Sequence, residues 1–175
     1  MGLPAFYESF LYVVFHWVVL ATSWNILSGY SGYFSFGHGA FFGIGAYAAA
    51  LSQKHWFEGQ LILPLLFAVA FSAVLATIIG ALILRRRGVY FSLLTLAFSA
   101  LTYAIAFRWT SFTGGENGLG NVVRPAIGVV RLDEALPYLI AVSVIGWLVL
   151  FFNWRLLRSP FGHVMAAIRE NEQRA

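Results

Sequence analysis

Few residues in this chain could do chemistry. His38 sits in a glycine-rich stretch, Ser35-Phe-Gly-His-Gly39, with a serine hydroxyl three positions away. A Ser–His pair begins a nucleophilic site, but a third group must orient the imidazole, and no acid occurs between Glu8 and Glu58. Neither H-E-x-x-H nor G-x-S-x-G is present, so no catalytic residue and no enzymatic activity is expected. No metal site is expected either: cysteine is absent, and no second His, Asp or Glu stands at ligand spacing from His38. Two roles stay open for His38, a ring nitrogen bonded to a nearby backbone carbonyl or a group in a pathway or gate. The only lysine, Lys54, is not part of G-x-x-x-x-G-K-[ST], so any ATP and Mg must be handled by another chain, and no cofactor is expected in this one. A second polar stretch, Thr113-Gly114-Gly115-Glu116-Asn117-Gly118, offers backbone amides to an anionic group or is simply a flexible external loop.

The elements that must carry these residues are apolar. Hydrophobic residues make up 60% of the chain and charged ones 10%, and mean hydropathy is +0.78, which excludes an ordinary soluble domain. Ten of the eleven basic residues are Arg, clustered between apolar runs. This is the pattern of cytoplasmic anchors beside membrane spans, and it leaves too little polar surface for a nucleic-acid stripe. The first apolar run, 10–27, is too long for a signal-peptide core and has no basic residue ahead of it.

Charge works as punctuation. No Asp, Glu, Lys or Arg occurs from 9 to 53, a run of 45 residues, about twice the ~20 that one helical crossing needs. Glycine is densest at Gly29-Tyr-Ser-Gly32, so the break falls there and predicts spans at 8–28 and 33–52. Further spans are predicted at 59–84, 88–107 and 135–154, ending at Arg85-Arg-Arg87, Arg108 and Arg155. The fold class is therefore an all-α polytopic bundle of about five spans: a transmembrane domain over 1–154 and a polar segment over 155–175. In that segment Ser159 suits a cap, Pro160 a first helical turn, and Phe161, Val164, Met165 and Ile168 share one face. Small residues at Gly39 and Gly43, Gly45 and Ala49, and Ala46 and Ala50 predict that span two is buried against other helices.

Arg85–Arg87 and the 155–174 tail are the most basic segments and lie two spans apart, so both are assigned to the cytoplasm. The Lys54 patch and the 109–134 connection then face outward, and Met1 too. An outer start without a signal, and an end inside a helix at Ala175, suggest a fragment. No span contains Asp or Glu, which argues against an ion-driven carrier.

Three stretches resemble one family. Asn25–Tyr47, NILSGYSGYFSFGHGAFFGIGAY, looks like the signature of permeases in branched-chain amino acid ABC importers. Arg87–Ala97, RGVYFSLLTLA, followed by Thr113-Gly-Gly and Asn117-Gly-Leu, resembles the next block of its M-type subunit. Ser159–Ala175, SPFGHVMAAIRENEQRA, is similar to its cytoplasmic coupling segment. The resemblance implies a multi-pass protein of the bacterial inner membrane that works with a second permease subunit, two ATP-binding subunits and a periplasmic substrate-binding protein. It implies ATPase coupling through Phe161, Gly162, Met165, Ala166, Ala167, Ile168, Arg169, Glu170 and Glu172. Phe161, Met165 and Ile168 would be buried in the ATPase, with Arg169, Glu170 and Glu172 at the rim. Gly29, Gly32, Ser35, Gly37, His38, Gly39 and Gly43 would belong to the pathway or its packing, and Thr113, Gly114, Gly115, Asn117 and Gly118 to the external loop. A urea or amide importer and a non-transporting scaffold are the alternatives. A lipid-surface role for the last helix is opposed by Glu170 and Glu172.

Overall fold

The structure, a computed structural model, describes residues 5–86, 88–120, 122, 126–127, 130–131 and 135–171. Arg87, Arg124, Asp133, Glu134, Glu172 and Arg174 lie outside the described residues.

Helix α1, Ala5–Asn25, continues into a π-helical turn, Ile26–Tyr30. After a non-helical stretch come α2, His38–His55, α3, Ile62–Ile83, and α4, Val89–Arg108. The next connection is not structureless. It holds a one-turn α5, Thr110–Thr113, a 3₁₀ turn, Gly115–Asn117, and two-residue strands β1, Ala126–Ile127, and β2, Val130–Arg131. The strands pair antiparallel, Ala126 opposite Arg131 and Ile127 opposite Val130. Helix α6, Ala135–Leu157, and helix α7, Pro160–Asn171, complete the all-α bundle that the charge pattern predicts.

Among the described residues, four helices are long and apolar enough to cross a membrane: Phe10–Tyr30, Ile62–Ile83, Val89–Arg108 and Leu136–Leu157. Helix α2 is not among them, although it has 18 residues, because glycine and alanine replace leucine along it and it ends in Gln53-Lys54-His55. It also starts at His38 rather than at the predicted residue 33.

The chain divides into two compact bodies. Met1–Ser35 with Glu134–Ala175 forms one, and Phe36–Asp133 the other. In the first, α1 lies along α6. The Tyr12 and Tyr138 rings meet edge to face at 5.7 Å. A Cβ on Gly146 would stand 3.2 Å from Phe15 Cδ1, and Asn153 Nδ2 donates to Thr22 Oγ1 at 3.5 Å. These pairs advance in the same direction along both helices, so α1 and α6 run parallel. Parallel spans need an odd number of crossings between them. Since α3 and α4 supply two, α2 is the third despite its low hydropathy.

The second body obeys the same parity. Gly45 approaches Ser72 on α3, and Trp56 meets Phe67 at 5.2 Å, so α2 and α3 are antiparallel. Gly37 approaches Thr95 and Phe41 meets Phe98 at 5.1 Å, so α2 and α4 are parallel. Several helix hydroxyls in both bodies bond their own preceding turn, as Thr22 does to Val18 O at 2.9 Å and Thr77 to Ala73 O at 2.8 Å, which satisfies them without water, whereas Ser72 Oγ is buried with no partner among the described residues.

Replacing Gly146 by Leu should separate α1 from α6 at a cost of about 1–3 kcal/mol, lowering the melting temperature in detergent by several degrees. The same change at Gly80, where a Cβ meets nothing within 4 Å, should leave it unaltered.

Candidate functional site

In the first body the break after α1 is an ordered structure. The helix widens at Ile26–Tyr30, and Tyr33 N–H closes the turn on Leu27 O at 3.3 Å. Gly32, with φ of 73°, reverses the chain in a conformation that a residue with Cβ rarely adopts. The segment then runs back along the end of α1. Trp24 Nε1 donates to Ser35 O at 2.9 Å, and the Ser28 hydroxyl donates to Tyr33 O at 3.1 Å and accepts from Ser35 N–H at 3.5 Å. Ser28 and Ser35 are both buried. Side chains of the helix end thus serve backbone groups that no helix partner serves, which is what non-helical backbone needs away from water.

Helix α7 packs on this turn. Arg169 Nη1 donates to Gly29 O at 2.7 Å. Neither α1 nor its π turn carries a basic residue in its last turn, so Arg169 supplies from a distance the cation that a helix C-terminus favours, worth about 0.3–1 kcal/mol at an exposed site. A cavity of about 690 Å³ lies beside the contact, lined by Asn25, Gly29, Tyr30, Ala166, Arg169 and Glu170. At about 100° per residue, Gly162, Met165, Ala166 and Arg169 share the face toward the turn. Phe161, Val164 and Ile168 lie on the adjoining face, and Phe161 and Val164 remain 57% and 50% exposed.

The link into α7 is tight. A Cβ on Gly162 would run into the Leu157 backbone. The Ser159 hydroxyl does not follow the predicted capping role: it turns back to donate to Leu156 O at 2.6 Å, while its carbonyl accepts from Gly162 N–H at 3.0 Å. Arg158 stacks over the Trp154 ring at 4.4 Å, a cation–π contact at the end of α6.

In the second body, Phe36 N–H donates to Thr95 Oγ1 at 3.1 Å, and a Cβ on Gly37 would stand 3.2 Å from Thr95 O. Glycine is therefore what lets the start of α2 touch α4. Along α2 a groove of about 1060 Å³ opens on the face of Gly39, Gly43, Tyr47, Leu51 and His55. Phe67, Phe71 and Leu75 of α3 and Ser99, Thr102, Tyr103 and Ala106 of α4 form its other walls, and no Asp, Glu, Lys or Arg lines it. The α2 stripe from residue 39 to 55 spans about 24 Å at ~1.5 Å per residue, most of a hydrocarbon core of ~30 Å. Gly39 and Gly43 have nothing within 4 Å of a built Cβ. This stripe thus faces the groove, and close helix packing falls at Gly45, whose Cβ would meet Ser72 Oγ at 3.4 Å.

One end of the groove is closed by the Thr-Gly-Gly stretch. Thr113 Oγ1 bonds Ala106 O at 2.6 Å and Trp109 O at 2.8 Å and accepts from Gly115 N–H at 3.3 Å. Gly114 and Gly118 N–H are taken by Thr110 O and Gly115 O, both at 3.1 Å. Gly114, Gly115 and Gly118 have positive φ, and a Cβ on Gly115 would stand 2.9 Å from Phe107 O. These three amides are therefore engaged within the turn.

The family model described as branched-chain amino acid transport system / permease component matches residues 6–175. The chain belongs to this family. Among curated proteins it is similar to the high-affinity branched-chain amino acid transport system permease protein LivM of Salmonella typhimurium, with 29% identity over 89% of this chain. It is similar also to LivM of Escherichia coli, with 28% identity over 89% of this chain. The chain spans 42% of the length of either relative. No solved structure matches.

Of the residues singled out in this permease-family chain from its sequence, Gly29, Gly32 and Ser35 form the turn that α7 contacts, and Gly37 fits against Thr95. His38 opens α2, half-buried and partnered. Gly39, Gly43, Thr113 and Gly115 line one groove, although sequence reasoning divided them between pathway and external loop. Asn117 is exposed beside them. On α7, Ala167 is exposed and Met165 and Ile168 half-buried, while Glu172 lies outside the described residues. Trp24, Ser28 and Thr95 were not anticipated, for their partners are main-chain atoms that no side-chain pattern marks.

Thr95→Val removes the acceptor of Phe36 N–H at almost constant volume. It should weaken the start of α2 by about 1–3 kcal/mol, seen as faster amide exchange over residues 33–37 with the centre of α4 unaltered.

Proposed function

We propose that this chain is part of the permease subunit of an ABC importer that carries branched-chain or other hydrophobic amino acids across the bacterial inner membrane. The observation that carries the reading is the groove along α2, apolar through most of a bilayer's thickness and free of fixed charge among its lining residues. An aliphatic side chain sheds water favourably there, and Ser99 and Ser111 place hydroxyls along the groove toward the polar end of the solute. At about 1060 Å³ the groove has the scale of a small-molecule site, for which ~300–1,000 Å³ is usual.

Energy enters from outside the chain. Helix α7 is amphipathic, follows α6, and leaves Phe161 and Val164 uncovered, which suits a helix-in-groove contact with an ATP-binding subunit. ATP and Mg act on that subunit, so the permease is a transport component and not itself an enzyme. A second permease subunit completes the pathway, two ATP-binding subunits drive it, and a periplasmic binding protein delivers the substrate. The apolar side chains lining the groove favour a solute with an aliphatic side chain over urea or a small amide, which has none to bury, and the groove's length disfavours a scaffold without transport. The arginines Arg85, Arg86, Arg155, Arg158 and Arg169 support a cytoplasmic position for α7 and for the α3–α4 link.

Replacing both Phe161 and Val164 by Glu in the full-length subunit should abolish co-purification of the ATP-binding subunits while leaving its membrane insertion intact; retained binding would refute the docking role of α7. Gly43→Phe, which fills the groove, should lower leucine uptake by at least about tenfold without loss of the ATP-binding subunits. Undiminished uptake would show that solute takes another route.

A further inference from the structure

The contact between α7 and the turn after α1 joins the amphipathic helix of the first body to a place where a long apolar helix stops being helical. Arg169 lies across that turn. Its guanidinium Nη1 reaches Gly29 O at 2.7 Å, and its Cγ is 3.2 Å from the point where a Cβ on Gly32 would stand. The stem rests on one glycine and the head bonds the other. Any side chain at 32 would press on the stem, and Gly32 has a φ of 73°, so the turn is shaped to receive this side chain.

Without that bond α7 would be held weakly at its far end. It is tethered to α6 through the short Arg158–Ser159 link, and Arg169 lies about 14 Å farther along a helix rising ~1.5 Å per residue. A push on its exposed Phe161–Val164 face would then pivot it about the link. With the bond in place, α7 and the Gly29–Gly32 turn are braced at both ends of the helix. The chain leaving that turn is clasped by Trp24 and Ser28 as far as Ser35 and passes at once into Phe36 and α2.

We propose that Arg169 is a positioning residue that makes α7 and the Gly29–Gly32 turn a single rigid piece, so that displacement of α7 by an ATP-binding partner is delivered to the start of α2. The inference rests on the reading of α7 as the docking helix. It assigns Arg169, which remains exposed, to a contact with the chain's own Gly29–Gly32 turn and not to the partner's surface.

The test uses the full-length subunit assembled with its ATP-binding subunits and binding protein in liposomes, following co-purification, ATP hydrolysis and uptake of radiolabelled leucine. Arg169→Ala should leave assembly and hydrolysis unchanged while uptake per ATP falls about tenfold, within the usual range of coupling between sites. Arg169→Lys, which keeps a donor of similar reach, should retain most of the uptake, and Gly32→Ala should reproduce the loss. The decisive arm is covalent. The chain has no cysteine, and Tyr30 and Ala166 line the same cavity. Tyr30→Cys with Ala166→Cys, joined by a short bis-maleimide, should restore uptake per ATP to the Arg169→Ala subunit and leave the parent's uptake intact.

Loss of the ATP-binding subunits on Arg169→Ala would place the residue at the partner surface and overturn the proposal. So would uptake unchanged by that substitution, or a cross-link that blocks uptake in the parent, which would mean the two elements must slide. Failure of the docking reading is seen separately, as absence of ATP-binding subunits on the unsubstituted subunit, and removes the proposal with it.

Discussion

Backbone that leaves the helix among apolar surroundings must find a partner for each polar group, and that constraint organises the chain around residues 26–37. Every device there serves it. The π turn shifts the helix bonds by one residue, Tyr33 N–H closes on Leu27 O, and Trp24 and Ser28 attend to carbonyls of the returning strand. Thr95 receives Phe36 N–H, and Arg169 covers Gly29 O. Glycine at 32 and 37 makes the path possible, the first through its positive φ and the second through its close approach to α4. What looks in sequence like a flexible break is a stretch of main chain held by side chains from several helices.

Topology follows from parity as much as from hydropathy. Helix α2 is too poor in large apolar residues to register as a span by composition, yet α1 and α6 run parallel and so require it to cross. Its small residues have a reason that the parity argument exposes. A helix that lines a groove on one face and packs closely on another gives up the leucines that a lipid-facing helix carries. Gly39 and Gly43 leave space on the groove side, Gly45 lets α3 approach, and Ala40, Ala48 and Ser52 are buried.

The groove also unites segments that charge punctuation kept apart. The Thr113–Gly118 stretch has the composition of a mobile external loop, but its threonine is buried and its glycines take conformations that fold it onto the end of α4. Thr113 and Gly115 thereby join Gly39 and Gly43 in lining a single cavity.

The sequence by itself determined the class and the long helices, though not the short elements of the π turn and of the α4–α6 connection. Charge-free runs of about 20 residues admit only helices in a bilayer, arginines mark where those runs stop, and apolar spacing after Pro160 marks an amphipathic helix; all of these are one-dimensional signals. It also marked Gly29 and Gly32 as a break, because glycine density is local, but it put Gly37 inside the second span, which starts only at His38. Only the tertiary structure decided what those glycines touch, which small residues of α2 face space and which face a helix, and that Arg169 reaches Gly29 O. Such facts depend on main-chain carbonyls and amides brought together across the chain, 140 residues apart in that last case. Every residue carries those groups, so sequence cannot single out the ones that will meet.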